Sequence, residues 1–357
     1  MNSTAQPLVA DVTAPIAVRA FANGDASEWE RFVAASPQAT FFHALAWRRV
    51  VETSLGHRSH YRCAWRGDRL VGILPLIHVR SRLFGSALIA AAFGVYGGIL
   101  AADEAATQSL ADDAALLGAA LGVDYVELRH RLPSGLGWHA KSDFYFTFCR
   151  RLAPQTDANL KAIPRKKRAD LRKAIDNPAL TVELGGDIDT FYRIYAESLR
   201  NLGTPVLPRR FYAAIAAEFG DAVEVSTVRG PDGPVAALMT FYFKDRVMPY
   251  YGGATPAARP LHAYDLLYWR LMERAVERGT MVFDFGRSKR GTGSYDYKTY
   301  WGFAPEPLHY DFRLVRAPSL PEINPLNPKY RLMIETWRRL PLAVANSLGP
   351  IIARQIG

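Results

Sequence analysis

Apolar positions recur in two passages that follow the same order, one in each half of the chain. The first opens with Asp25, Trp29 and Phe32 at helical spacing, continues through Phe41, Phe42, Trp47 and Val50, and closes at Gly56. The second opens with Asp187, Phe191 and Ile194, continues through Phe211, Tyr212 and Ile215, and closes at Gly220. Beyond each closing glycine the period changes from helix to strand. YRCAWRGDRLVGILPL from Tyr61 and VEVSTVRGPDGPVAALMTFYF from Val223 each read as a strand, a glycine turn and a strand, so two hairpins are expected. Each half then reaches Tyr-Gly-Gly, at Tyr96-Gly97-Gly98 and Tyr251-Gly252-Gly253, where paired glycines permit a bulge or a close approach of backbone to ligand. A helix follows in each, about Ala105 to Leu121 and His262 to Arg278, and leads into a short strand, Tyr125 to Arg129 or Met281 to Phe285. The repeat is far longer than a solenoid period and reads as a duplicated domain.

Length and composition agree with two domains: 357 residues and 49% apolar residues bury a sizeable core. The expected boundaries are an N-terminal tail (1–19), a first domain (20–152), a second (153–317) and a C-terminal tail (318–357). Cys63 and Cys149 belong to no metal-ligand pattern, so reduced thiols and no metal are expected. Residues 1–20 carry Asp11 and two prolines with no long apolar run, and no stretch reaches the roughly 18 to 20 apolar residues of a membrane span. The expected location is the cytoplasm. The formal charge of +10 favours an anionic partner, although a solvated basic surface accounts for it equally well.

Helix pair, hairpin, longer strand, helix and strand is the order of a GNAT acyltransferase core. Two such cores in tandem resemble the FemAB family, peptidyltransferases that use aminoacyl-tRNA. Asp284 to Phe312 (DFGRSKRGTGSYDYKTYWGFAPEPLHYDF) and NPLNPKYRLMIETWRRLPL from Asn324 carry a closer resemblance to the FemAB-like proteins associated with exosortase and PEP-CTERM systems. The resemblance implies an α/β (α+β) fold of two tandem GNAT-like domains with mixed sheets and a C-terminal helical tail. It implies an N-acyl or aminoacyltransferase acting on a cell-envelope or exopolysaccharide-related precursor, with no tightly bound cofactor and aminoacyl-tRNA or acyl-CoA as donor. An acyl-CoA-dependent N-acetyltransferase is the rival within the enzyme class. A non-catalytic membrane- or RNA-binding adaptor is the rival outside it.

The glycine-rich stretch after the second half's last core strand is the expected site, because the ends of such strands commonly present ligand groups. Gly286, Arg287, Ser288, Arg290 and Gly293 offer donors suited to phosphate or carboxylate, and Tyr251 and Gly252 face the same region in sequence. Arg287 to Gly293 has one residue too many for the GNAT pyrophosphate loop, and Ala258 to His262, before the second-half helix, lacks its glycines. Both departures argue against CoA. Lys298, with Tyr297, matches the Phe/Tyr-Lys motif of FemAB enzymes, and the resemblance implies stabilisation of an oxyanion or phosphate; a structural ion pair with Asp284 or Asp296 is the bland reading. Asp284 is the candidate to orient the amine or accept its proton. Arg165, Arg168 and Arg172 form one stripe on a helix between Pro164 and Pro178, fit to meet tRNA phosphates or an anionic, lipid-linked acceptor. The segment 329–356 combines Leu, Met, Ile and Trp with arginines. It is expected either to lie on an anionic membrane surface, at the inner face of the cytoplasmic membrane, or to fold back on the second domain.

Overall fold

The computed structural model describes residues 14–81, 84–320 and 328–357; most of the expected N-terminal tail and part of the C-terminal linker lie outside them. The chain runs β1 (Ile16–Ala20), α1 (Ala26–Ala35), α2 (Leu45–Leu55), β2 (Arg58–Ser59), β3 (Arg62–Arg66), β4 (Arg69–Leu74), β5 (Leu76–Ser81), β6 (Gly85–Ala90), β7 (Leu100–Ala101), α3 (Glu104–Leu121), β8 (Tyr125–His130), β9 (His139–Lys141) and β10 (Tyr145–Arg151). It continues with α4 (Thr156–Ala162), α5 (Arg165–Ile175), β11 (Thr181–Leu184), α6 (Ile188–Leu202), α7 (Arg209–Phe219), β12 (Val223–Gly230), β13 (Gly233–Phe243), β14 (Arg246–Ala254), α8 (Ala263–Glu277), β15 (Val282–Asp284), β16 (Ser288–Lys289), α9 (Gly293–Tyr300), β17 (Pro305–Pro307) and β18 (His309–Leu314). The tail supplies α10 (Pro328–Arg339) and α11 (Leu342–Ala353). Both expected hairpins form, β3 with β4 and β12 with β13, and both expected helices follow them.

Local chemistry sets the helix ends. Asp103 and Asp187 cap α3 and α6 by accepting from Ala106 N and Thr190 N, and Gly122 and Gly203 end them in the left-handed region. At Pro75 the first half's long strand leaves one sheet for another, because proline has no N–H to continue the ladder. The result is a four-stranded sheet (β1-β3-β4-β7), a six-stranded sheet (β2-β5-β6-β8-β18-β9) and an eight-stranded sheet (β11-β12-β13-β14-β15-β10-β16, with β17 on β10).

The sheets do not divide where the domains were expected to. β10, on the first-domain side of residue 152, pairs with β15 of the second half through Cys149↔Asp284. β18, on the second-domain side, pairs with β8 of the first half through Leu314↔Tyr125. The halves therefore exchange a strand, and one apolar cluster crosses between them. α2 packs on α7, and the Phe41 ring stacks on Phe241 with centroids 3.9 Å apart and planes 5° apart. Such a shared core packs the two halves against each other.

Candidate active site

The second half opens its sheet at the point expected of a ligand site. β14 and β15 run parallel and pair only at Arg246↔Val282 and Val247↔Phe283, after which the strands part. Opposite the gap, the register of β13 and β14 slips between Met239↔Tyr251 and Thr240↔Pro249. Tyr250 is the extra residue of this bulge, so Tyr250 and Tyr251 both line a cavity of about 300 Å³. The bulge thus falls at the tyrosines; the glycines beside them serve packing. A side chain at Gly252 would meet Tyr264 Oη at 2.3 Å, and one at Gly253 would meet Ser198 Cβ at 2.8 Å.

The remaining walls come from both halves. α6 and the loop after it give Tyr195, Thr204 and Leu207; the first half gives Phe93, Gly94 and Arg129. Phe93 lies at φ 65° and Ala91 at φ 43°, left-handed conformations that cost a non-glycine residue free energy and recur where a loop is held for a purpose. Phe93 O accepts from Tyr250 Oη at 3.3 Å. Tyr251 Oη is buried without a hydrogen-bond partner, and burial raises its pKa well above the ordinary value, so it stays a neutral hydroxyl.

Arg287 is the cation at the mouth of the splayed strands and lines this cavity and a second one. Its Nη1 donates to Tyr310 Oη at 2.9 Å and its guanidinium lies 4.4 Å from the centre of the Tyr145 ring. No carboxylate lies within 4 Å of it among the described residues. Lys298 holds the turn that carries it: Nζ donates to Gly286 O at 2.9 Å and Arg287 O at 3.1 Å. The ammonium is 8% exposed, and burial brings its pKa down to about 7 against the opposing pull of Asp284. Neither expected ion pair forms. Gly286, at φ 70°, completes the turn with its N–H on Asp284 Oδ1 at 2.8 Å.

Asp284 is fully buried and saturated. Beside Gly286 N, it accepts from Tyr96 Oη and Thr147 Oγ1 at 3.1 Å each and pairs with Arg246 at 3.1 Å. It joins the two halves at a polar knot, with the Cys149 thiol accepting from Arg131 and Arg246 beside it.

Residues 161–299 match the family described as an acetyltransferase (GNAT) domain. The second half is an acyltransferase domain. The solved structure of FemX is similar with a TM-score of 0.66 at 12% identity, covering 89% of this chain and 100% of that one. A tandem GNAT protein from the clavulanic acid biosynthesis pathway gives 0.54 at 12%, covering 86% and 100%. The C-terminal domain of a putative lysylphosphatidylglycerol synthetase from Agrobacterium fabrum gives 0.52 at 12%, covering 88% and 95%. At such identities the likeness is one of fold: two GNAT units in tandem, followed here by a helical tail. No curated protein matches the chain.

Around the GNAT splay, then, the structure gathers Tyr251 and Arg287 from the expected residues, with Gly286 and Lys298 beneath them as supports. The others go elsewhere. Ser288 is buried in β16 with Oγ unpartnered; Arg290 is exposed, its guanidinium 4.4 Å from the Phe146 ring centre; Gly293 begins α9 at the surface. Tyr297 donates to Asp265 Oδ1 at 2.6 Å, in the first turn of α8, where Lys167 also binds at 2.5 Å. Arg165 and Arg172 are exposed on α5 and Arg168 donates to Lys161 O, while Leu171 and Ala174 face inward, so the stripe forms as spaced but away from the cleft. α10 and α11 pack on α6, and Leu332, Met333, Leu348 and Ile351 stay exposed on them. No described helix is long and apolar enough to cross a membrane, and no cluster of metal-ligating residues occurs among the described residues.

Arg129, Tyr145 and Tyr310 were not among the expected site residues. The signal for Arg129 was the alternation Tyr125-Val126-Glu127-Leu128-Arg129, which sets polar side chains along one face of a strand both of whose faces are buried.

Proposed function

We propose that the protein transfers an acyl or aminoacyl group from an activated ester to an amine, in the cleft where β14 and β15 part. The amine attacks the donor carbonyl, the C–N bond forms, the C–O or C–S bond breaks, and the amine proton leaves on the released alcohol or thiol. Arg287 faces the carbonyl oxygen as it gains charge. Tyr250 and Tyr251 shape the acceptor side, and Lys298 positions Arg287 through the two carbonyls it holds. The observation that carries this reading is Arg287, a cation without a carboxylate at the mouth of a splayed pair of GNAT strands.

An aminoacyl ester is the favoured donor. The first turn of α8, where a GNAT fold would receive a pyrophosphate, is occupied by buried Asp265 and closed over by Lys167 and Tyr297. The α5 arginines supply a positive face for tRNA phosphates. The acetyltransferase match keeps acyl-CoA as the second reading. The acceptor is proposed to be anionic and lipid-linked, a cell-envelope or exopolysaccharide precursor, with the exposed apolar residues of α10 and α11 and Arg331 and Arg339 meeting the membrane at the cytoplasmic side. A thermal-shift comparison of acetyl-CoA with a mixture of aminoacyl-tRNAs tests the donor. Stabilisation by the charged tRNAs is expected, and stabilisation by acetyl-CoA alone would overturn the aminoacyl reading.

A further inference from the structure

The helical tail crosses from one half to the other. α11 packs on α6 of the second half, and a side chain at Gly349 would meet Val206 N at 3.1 Å. The residues that follow α11 are held by the first half. His57 Nε2 donates to Arg354 O at 2.6 Å, Ser81 Oγ to Gln355 Oε1 at 2.9 Å, and Arg129 Nη2 to Gly357 O at 3.1 Å. A side chain at Gly357 would meet Ile89 Cδ1 at 2.8 Å and Val79 Cγ2 at 2.9 Å, so the backbone lies directly against that wall.

Two cavities meet at this segment. The cleft of about 300 Å³ holds Tyr250 and Tyr251, and a cavity of about 330 Å³ lies against the six-stranded sheet among Tyr125, Tyr145, Tyr310 and Phe312. Arg129 and Arg287 line both, and so do Ile356 and Gly357. Residues 356 and 357 therefore stand where the two spaces would otherwise join. Each space alone is near the small end of ligand sites; joined, they would make a cleft of ordinary size. The hold on the segment is light. Gln355, Ile356 and Gly357 are all half-buried, and partly exposed hydrogen bonds add little net stability, so such a segment opens locally far more readily than the core.

We propose that residues 354–357 form an autoinhibitory strap across the cleft between the halves. Seated, the strap divides the cleft and occupies one donor of Arg129 with a main-chain oxygen. A ligand that spans both cavities displaces it and takes over that donor. The regulatory meaning rests on the reading of the cleft as the site of acyl transfer.

Modification of the full chain by phenylglyoxal, which condenses with guanidinium groups, tests the strap without any turnover when each arginine is followed by peptide mass spectrometry. In the parent, Arg129, 4% exposed, should react far more slowly than Arg165 on the exposed face of α5. Ile356→Asp puts a charge in place of an apolar side chain, and Gly357→Val fouls the wall at Ile89 and Val79. Each should raise the Arg129 rate by about 10-fold, the effect of removing one partly buried aliphatic side chain's hold on the closed state. Arg62, ion-paired with Asp113, should stay as slow as in the parent. An Arg129 that reacts in the parent as fast as Arg165, rates unchanged in both variants, or an equal rise at Arg62 would overturn the strap. Acyl transfer is read separately, by turnover, so the strap and the transfer reading can fail independently.

Discussion

Arg129 and Arg287 occupy related places, each near the end of the short strand that closes a GNAT unit, yet they live differently. Arg129 is 4% exposed and each of its donor groups has a partner: Glu127, Gly94 O and Gly357 O. Arg287 lines the same two cavities as Arg129 but has a tyrosine hydroxyl as its hydrogen-bond partner and two rings nearby. A guanidinium with its donors satisfied is a structural joint, whereas one with donors in reserve is available to a ligand. The duplication has thus been resolved into two tasks: the first half closes its strand end and lends walls, and the second keeps its strand end open.

The most damaging change to that division should be Asp284→Leu. It leaves the buried Tyr96 and Thr147 hydroxyls without this acceptor and the half-buried Arg246 without its carboxylate, and guanidinium unfolding is expected to show a loss of about 3 kcal/mol or more. Next, Arg129→Gln should cost about 3 kcal/mol by stranding Glu127; an equal loss in Arg287→Gln would erase the contrast between the two arginines. Gly252→Ala forces a methyl against Tyr264 Oη and Leu238 Cδ2, at 2.3 and 2.4 Å, and should lower stability by about 1–3 kcal/mol.

The smallest effect is one of pH. Native Lys298 titrates near pH 7 because of burial, whereas the unfolded side chain keeps its proton to about 10.4. Between those values the unfolded state binds the extra proton, so this residue makes stability rise with pH across the window. Denaturation of the parent and Lys298→Met at pH 7 and pH 9 should show that rise reduced in the variant. Parallel curves would mean that Lys298 stays charged in the native state.

Much of the fold was legible locally. The helices ending at Gly56 and Gly220, both hairpins and the helix-to-strand passages of each half follow from period and turn chemistry. The strand exchange was not, because Cys149↔Asp284 and Leu314↔Tyr125 join residues more than a hundred positions apart, and nothing in the local pattern of Tyr145–Arg151 distinguishes one sheet from the other. Within the site, Tyr251 and Arg287 could be read from their neighbours at strand ends. Lys298 and Asp284 were read as chemistry, and their contacts are ones that sequence does not display: two backbone carbonyls for one, a knot of hydroxyls and guanidinium for the other. The tyrosines of the cleft were hidden by the ordinary role of aromatic residues as core.

The most direct test is turnover of Arg287→Gln beside the parent enzyme, with aminoacyl-tRNA and with acetyl-CoA as donors and amine acylation as the readout. A fall of about 100-fold or more in kcat/KM with the active donor, at unchanged unfolding, is expected for loss of a cation facing the oxyanion. An Arg287→Gln protein that transfers at the parent rate would contradict the placement of the chemistry in the open strand end of the second half.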